Sequence, residues 1–387
     1  MLVLLAAVLA ANGEASGESL RIATWHAPLS REGPGLLLRD ILAGERQVMA
    51  VIERIAALRP DILLLTNFDW DSGAQALDAF AARLQAAGLT LPYRLSRRPN
   101  AGWRTPLDID GDGRRGTPRD ARGYGRFSGA GGLALFSRLR LDEGMMRDFT
   151  ALRWAELPGH LLSVEEARRA GDGGPWLSST AHWDVPVILP GGARLHLLAF
   201  AATAPVFDGP EDFNGRRNHD EIAFWHAYLD GRLATPPPGA PVVVLGLANL
   251  DPADGEGRHE AIRTLAAHPR LQDARPRSEA ALHAARRQAG ANARHRGDPA
   301  LDTADLDDAE DGPGNLRLSY ILPDRRLTVT SAGVAWPRQP EPQSARFRHH
   351  LVWVDVDVPE GHCAAPETRD RCPNAAAGRI ERERSAR

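Results

Sequence analysis

The chain contains no lysine: all 47 basic residues are arginine, set against 50 acidic residues for a formal net charge of −3. A basic excess is therefore missing, and with it the electrostatic footprint of a nucleic-acid binder. Long apolar runs are also missing. The N-terminal run, residues 1–11, is shorter than the ~20 apolar residues that a membrane-crossing helix needs, so no span is expected in the mature chain. Cysteine is scarce, with Cys363 and Cys372 as the whole complement. Without a companion Cys/His pair, these two exclude a structural zinc site of the usual spacing, although His362 adjoins the first.

At 387 residues, 43% hydrophobic and 25% charged, the sequence can bury one large core. The apolar run at its start is followed by small residues spaced as a signal peptidase accepts, although no arginine precedes Arg21. This predicts a signal peptide over 1–17 and a periplasmic or secreted protein. A globular domain is expected over 18–358 and a C-terminal tail over 359–387. In an oxidising compartment, Cys363 and Cys372 within that tail are expected to form a disulfide.

Apolar runs bounded by turn residues predict strands at 20–24, 62–65, 132–136, 182–189, 195–200, 242–245, 316–322, 327–334 and 351–356. Helical stripes alternate with them: Val48, Val51, Ile52 and Ile55; Leu77, Phe80, Ala81 and Leu84; Ile222, Trp225 and Leu229. Strands and helices mixed in this way point to sheets covered by helices. Three segments, 97–131, 236–241 and 275–314, carry no such pattern and read as loops.

Five stretches carry a further signal: LRIATWH (20–26), PDILLLTNF (60–68), LHLLAFAATAPVF (195–207), VVVLGLANLDP (242–252) and FRHHLVWVDV (347–356). In this order they resemble the endonuclease/exonuclease/phosphatase superfamily, whose fold is that of DNase I. The longer strings TAPVFDGPEDFNGRRNHDEIAFW (203–225), LSSTAHWDVPV (177–187), GDPALDTADL (297–306) and GNLRLSYILP (314–323) look like a secreted bacterial branch of it. The resemblance implies a four-layer α/β sandwich of two packed mixed sheets flanked by helices. It also implies Mg²⁺ or Mn²⁺ held by carboxylates and a His–Asp pair that activates water against phosphorus.

Carried over position by position, that site is thinned. His26 stands where the resemblance expects Asn, Asn67 where it expects the metal-anchoring Glu, and Ala201 where it expects His. Leu247 and Ser319 each replace an Asp, and Arg348 replaces the Asp beside the last His. Asn249 and His349 are retained. The expected function is thus a metal-dependent phosphoester hydrolase by lineage, with catalysis lost or strongly reduced (a pseudoenzyme) and a rim that still binds a phosphate-containing small molecule. The alternative is an active phosphoesterase or nuclease that draws non-standard ligands from Asp69, Asp251 and the DIDGDG loop.

Other residues suggest ancillary sites. Arg216, Arg217 and His219 surround a cap-like sequence, Asn218 to Glu221, and with His182 form a candidate phosphate site. Asp108, Asp110 and Asp112 repeat the alternation that opens a Ca²⁺ loop, with Gly113 at the turn and Arg119 where the bidentate Glu belongs. His295, Asp298, Asp302 and Asp305 are ligand-type residues without a diagnostic spacing.

Overall fold

The computed structural model describes residues 18–171, 174–339 and 347–358. The expected signal peptide and the cysteine-bearing tail lie outside them. In chain order the strands are β1 (Glu18–Leu29), β2 (Ile62–Phe68), β3 (Tyr93–Leu95), β4 (Gly132–Ser137), β5 (Arg147–Asp148), β6 (Ala181–Ile188) and β7 (Arg194–Ala201). There follow β8 (Val242–Leu247), β9 (Ala304–Asp305), β10 (Asn315–Leu316), β11 (Ser319–Pro323), β12 (Thr328–Val334) and β13 (Val352–Val358). The helices are α1 (Leu36–Ala43), α2 (Arg46–Leu58), α3 (Gln75–Ala86), α4 (Val164–Arg169), α5 (Phe213–Leu229), α6 (Glu260–Ala266) and α7 (Glu279–Gln288).

One sheet has the order β12-β13-β1-β2-β4-β3 and the other β11-β8-β7-β6-β5, while β9 and β10 pair by themselves. Local sequence explains the central strands. β13 alternates strictly, sending Val352, Val354, Val356 and Val358 inward while Asp355 faces out to pair with Arg21 at 2.7 Å. β2 and β8 read as unbroken apolar runs because both of their faces are buried. Helix α2 starts where the Glu45 side chain accepts from the Val48 amide at 3.1 Å, and it stops at Arg59, whose φ of 54° is left-handed.

Three apolar clusters separate four layers. Ile62, Leu64 and Val354 meet Leu197, Val243 and Leu245 between the two sheets. On the outer face of the six-stranded sheet, Leu63 and Leu65 pack on Val48, Val51 and Ile52 of α2 and Phe80 of α3. On the outer face of the other sheet, Val242 and Val244 pack on Ile222 and Trp225 of α5 and Ile262 of α6. Each fully buried Leu, Ile or Val contributes about 1.5–3 kcal/mol. The expected α/β sandwich is the observed one. Two expectations need correction: the 316–322 run is divided between β10 and β11, and the 275–314 segment, read as a loop, contains α7.

Topology gathers particular residues on one rim. β1 runs parallel to β2, and β7 parallel to β8, so all four end on the same side as β11 and β13, their antiparallel neighbours, begin.

Candidate functional site

His26 near the end of β1, Asn67 on β2, Ala201 ending β7 and Leu247 ending β8 line one cavity of about 690 Å³, together with Asn249. His349, just before β13, packs against His26 with ring centroids 4.5 Å apart and planes inclined by 60°. The backbone carbonyl of His349 accepts from the Trp25 indole at 2.8 Å, while its Nδ1 has no hydrogen-bond partner among the described residues. Burial pulls His26 down to about 4, although its edge stays open to the cavity. Burial, then the neighbouring His26, His350 and Arg348, hold His349 well below its ordinary value. Both imidazoles are therefore neutral near pH 7.

The two asparagines take left-handed backbone, with φ of 65° at Asn67 and 52° at Asn249, a region this side chain tolerates. Their amide nitrogens tie strand ends together, Asn67 donating to Ala27 O at 2.9 Å and Asn249 to Ala202 O at 2.8 Å. Leu247 is 2% exposed and sits in register between Ala201 on β7 and Ser319 on β11. The Ser319 hydroxyl has no partner among the described residues.

Comparison with family models matches residues 38–344 to the Endonuclease/Exonuclease/phosphatase family. The chain belongs to that family. Among solved structures it is similar to an endonuclease/exonuclease/phosphatase from Beutenbergia cavernae, at 16% identity and a TM-score of 0.51 over 88% of this chain and 72% of that one. It is also similar to a family protein from Bacteroides thetaiotaomicron, at 12% identity and a TM-score of 0.46 over 88% and 98% of the two chains. The human Nocturnin catalytic domain with bound sulfate shares 14% identity and a TM-score of 0.45 over 88% and 96%. No curated protein matches the sequence.

The residues expected to bind phosphate are mostly engaged elsewhere in this family member. Helix α5 begins at Phe213 with Asp212 as its N-cap, six residues before the expected cap at Asn218. Asn218 consequently lies inside the helix, donating to Thr203 O at 2.7 Å and Ala248 O at 2.8 Å. Arg216 forms a two-pronged pair with Glu166 at 2.8 and 2.5 Å, and His219 meets Asp220 at 2.7 Å. Arg217 does reach the cavity wall, but its guanidinium donates to the carbonyls of Leu177, Trp176, Ser178 and Arg122. His182 is buried, with one ring nitrogen 2.9 Å from Ser178 Oγ and the other 2.9 Å from Glu221 O, and burial lowers it to about 4. It acts as a structural group.

Sequence reasoning took Glu221 for a capping residue and missed its buried role. Its carboxylate is fully buried and accepts from Ser179 N, Ser179 Oγ and Thr203 N at 2.5–2.7 Å, and burial raises its pKa despite the nearby Arg217. It clamps β6 and the strand end after β7 to α5. In the acidic loop, Asp108 and Asp110 converge with Asp120, not with Asp112, their oxygens lying within 4.8 Å of one another. Asp112 instead accepts from the Arg114 amide at 2.7 Å.

Family members are typically divalent-metal dependent, a need that the donors of this rim do not meet. Its centre offers two neutral imidazoles, two amides and a hydroxyl; Mg²⁺ and Mn²⁺ prefer carboxylate oxygen. Asp69 accepts from Ser30 Oγ, Arg31 N and Gly131 N, and Asp251 accepts from Ala253, Asp254 and Arg317 amides; neither lines the cavity. Asp110, Glu166, Asp208 and Glu211 do line it, but they come from surrounding loops and α4, and Glu166 is held by Arg216. The strand-end rim does not fit the metal.

Proposed function

We propose that this family member has lost or nearly lost phosphoester hydrolysis and uses its rim cavity to bind a small phosphate-containing molecule. The observation that carries this reading is Leu247, a buried apolar side chain between Ala201 and Ser319 at the centre of the rim. An ion or attacking water there would meet hydrocarbon, and the neutral His26–His349 pair has no carboxylate to orient it. Because catalytic groups act as a unit, the loss of the first removes most of the rate.

For the ligand, Arg119 and Arg169 line the cavity and form no ion pair among the described residues, so they are the cations available to a phosphate. Ca²⁺ is proposed only as a brace for the cavity wall, held at Asp108, Asp110 and Asp120. The apolar N-terminal run supports the reading that the mature protein works outside the cytoplasm.

The test compares the wild type with His349→Ala on bis-p-nitrophenyl phosphate under saturating Mn²⁺. The expected result is negligible turnover by both. Robust wild-type turnover abolished by the substitution would overturn the reading in favour of an active phosphoesterase.

A further inference from the structure

A second, smaller cavity of about 70 Å³ is lined by Asp254, Asn292, His295, Gly297 and Asp302. Asp302 is 6% exposed, yet no hydrogen bond or ion pair reaches its carboxylate among the described residues. A buried carboxylate without a partner is costly, and proteins seldom keep one without reason. Its surroundings make matters worse, since the charges that face it are Asp251, Asp254 and Asp298. Nearby cations are committed elsewhere: Arg277 to Asp298 at 2.6 Å and Arg317 to Asp273 at 2.7 Å. Burial and these three carboxylates lift Asp302 to about 8.

The other walls are built from donors. Asp254 is fixed by the amides of Arg296 at 2.8 Å and Gly297 at 2.7 Å, which leaves carboxylate lone pairs over. Asn292 accepts from the Asn315 amide at 2.7 Å. Glycine is required at two points of close approach. A Cβ on Gly314, whose φ is +65°, would stand 2.8 Å from both Asn292 Oδ1 and His295 Cε1, and one on Gly297 would stand 2.8 Å from Asp254 Oδ2.

We propose that this cavity is a divalent-cation site separate from the rim, with Asp302 and Asp254 as its anionic ligands and His295 as its nitrogen ligand. An imidazole beside two carboxylates favours Mn²⁺ or Zn²⁺ over Ca²⁺ and Mg²⁺. The three side chains line one cavity, but their donor atoms do not all fall within 4.8 Å of one another, so the proposed site requires these side chains to close on the ion. The ion's effect reaches Thr303, whose Oγ1 accepts from the Leu318 and Ser319 amides at 2.9 and 3.0 Å and so sets the start of β11. The proposal is independent of whether the rim is catalytic.

Calorimetric titration of the full chain with MnCl₂ and with ZnCl₂ tests it, paired with thermal melts. The wild type should show one saturable site and melt higher with metal. Asp302→Asn should weaken binding by at least the roughly 10–100-fold that even outer-shell changes cost. It should also melt no lower than wild type in the absence of metal near pH 7, because the amide replaces a carboxyl that burial and its acidic neighbours already keep mostly protonated. His349→Ala and the double variant D108N/D110N should both keep the site that Asp302→Asn weakens. His295→Ala, at a half-buried ring, gives the same comparison if Asp302→Asn does not fold. The proposal is overturned if neither metal binds at millimolar concentration, if Asp302→Asn and His295→Ala bind as tightly as wild type, or if D108N/D110N abolishes the signal.

Discussion

Replacing Arg217 with methionine separates a structural arginine from a ligand arm. Its guanidinium donates to Leu177 O at 2.9 Å, to Trp176 O and Ser178 O at 3.0 Å and to Arg122 O at 2.6 Å. It also supplies the positive charge that offsets the buried Glu221. Arg217→Met strands that anion and leaves four carbonyls short of a donor. Losing that offsetting charge together with its hydrogen bonds to four carbonyls costs about 3–5 kcal/mol. With a urea m-value of about 3 kcal/mol/M, the unfolding midpoint should fall by about 1–1.7 M. Glu221→Gln in the same chain should recover part of the loss, with a coupling of about 1–3 kcal/mol. The pH dependence has a fixed sign. Glu221 has a folded pKa raised above its unfolded value, so its neutral form suits the native state, and stability falls as pH rises from the unfolded value through the folded one. Without Arg217 the folded value climbs further, so the variant's deficit should be larger at neutral and alkaline pH than near pH 4.5, where chiefly the lost carbonyl hydrogen bonds remain. A midpoint shift below about 0.3 M, within extrapolation error, combined with weakened phosphate binding would refute the structural role and make Arg217 a phosphate ligand.

Leu247→Asp alone should destabilise the inter-sheet core without raising turnover, whereas Asn67→Glu, Ala201→His, Leu247→Asp, Ser319→Asp and Arg348→Asp together should raise the rate on bis-p-nitrophenyl phosphate. Trp103→Ala should speed tryptic cleavage within 97–131. Its ring lies 3.7 Å from the guanidinium carbons of both Arg98 and Arg122, and each such contact holds the loop by about 0.5–1 kcal/mol. Cys363 and Cys372 should be found linked by mass spectrometry of exported material; two free thiols would remove that expectation.

The parts of the fold set by local pattern were legible in the sequence. The period-2 valines of β13 and the Val48–Val51–Ile52–Ile55 stripe of α2 state their structure outright. Helix α7 was not legible, because its buried face is Ala281, Ala284 and Ala285 and offers no large apolar stripe. The start of α5 was misread for a different reason: Asn218 to Glu221 imitates a cap, but those side chains face buried carbonyls and amides brought in by β6 and the strand ends. The candidate site shows the same division. That its strand ends would meet was readable from the motif order, whereas the commitment of Arg216 to Glu166 depends on a partner fifty residues away along the chain. Asp120 escaped notice because it falls one place beyond the twelfth position of the acidic loop, and Asp302 stood out no more than Asp298 or Asp305 because burial without a partner is a property of the assembled cavity alone.

The pairing of β1 with β13 ties the beginning of the described chain to its end, Glu18 opposite Val358 and Thr24 opposite Val352. β13 also carries β12 on its other edge, so the six-stranded sheet stays in two pieces until the last strand arrives. During synthesis the first strand to emerge must therefore wait, half-paired through β2, for the last. Contacts of such long sequence separation form slowly and keep an open sheet edge exposed meanwhile. A ribosome stalled before residue 352 should hold a chain whose helices α1–α3 can dock but whose β1 edge still recruits chaperones, and only release completes the rim on which His26 and His349 meet.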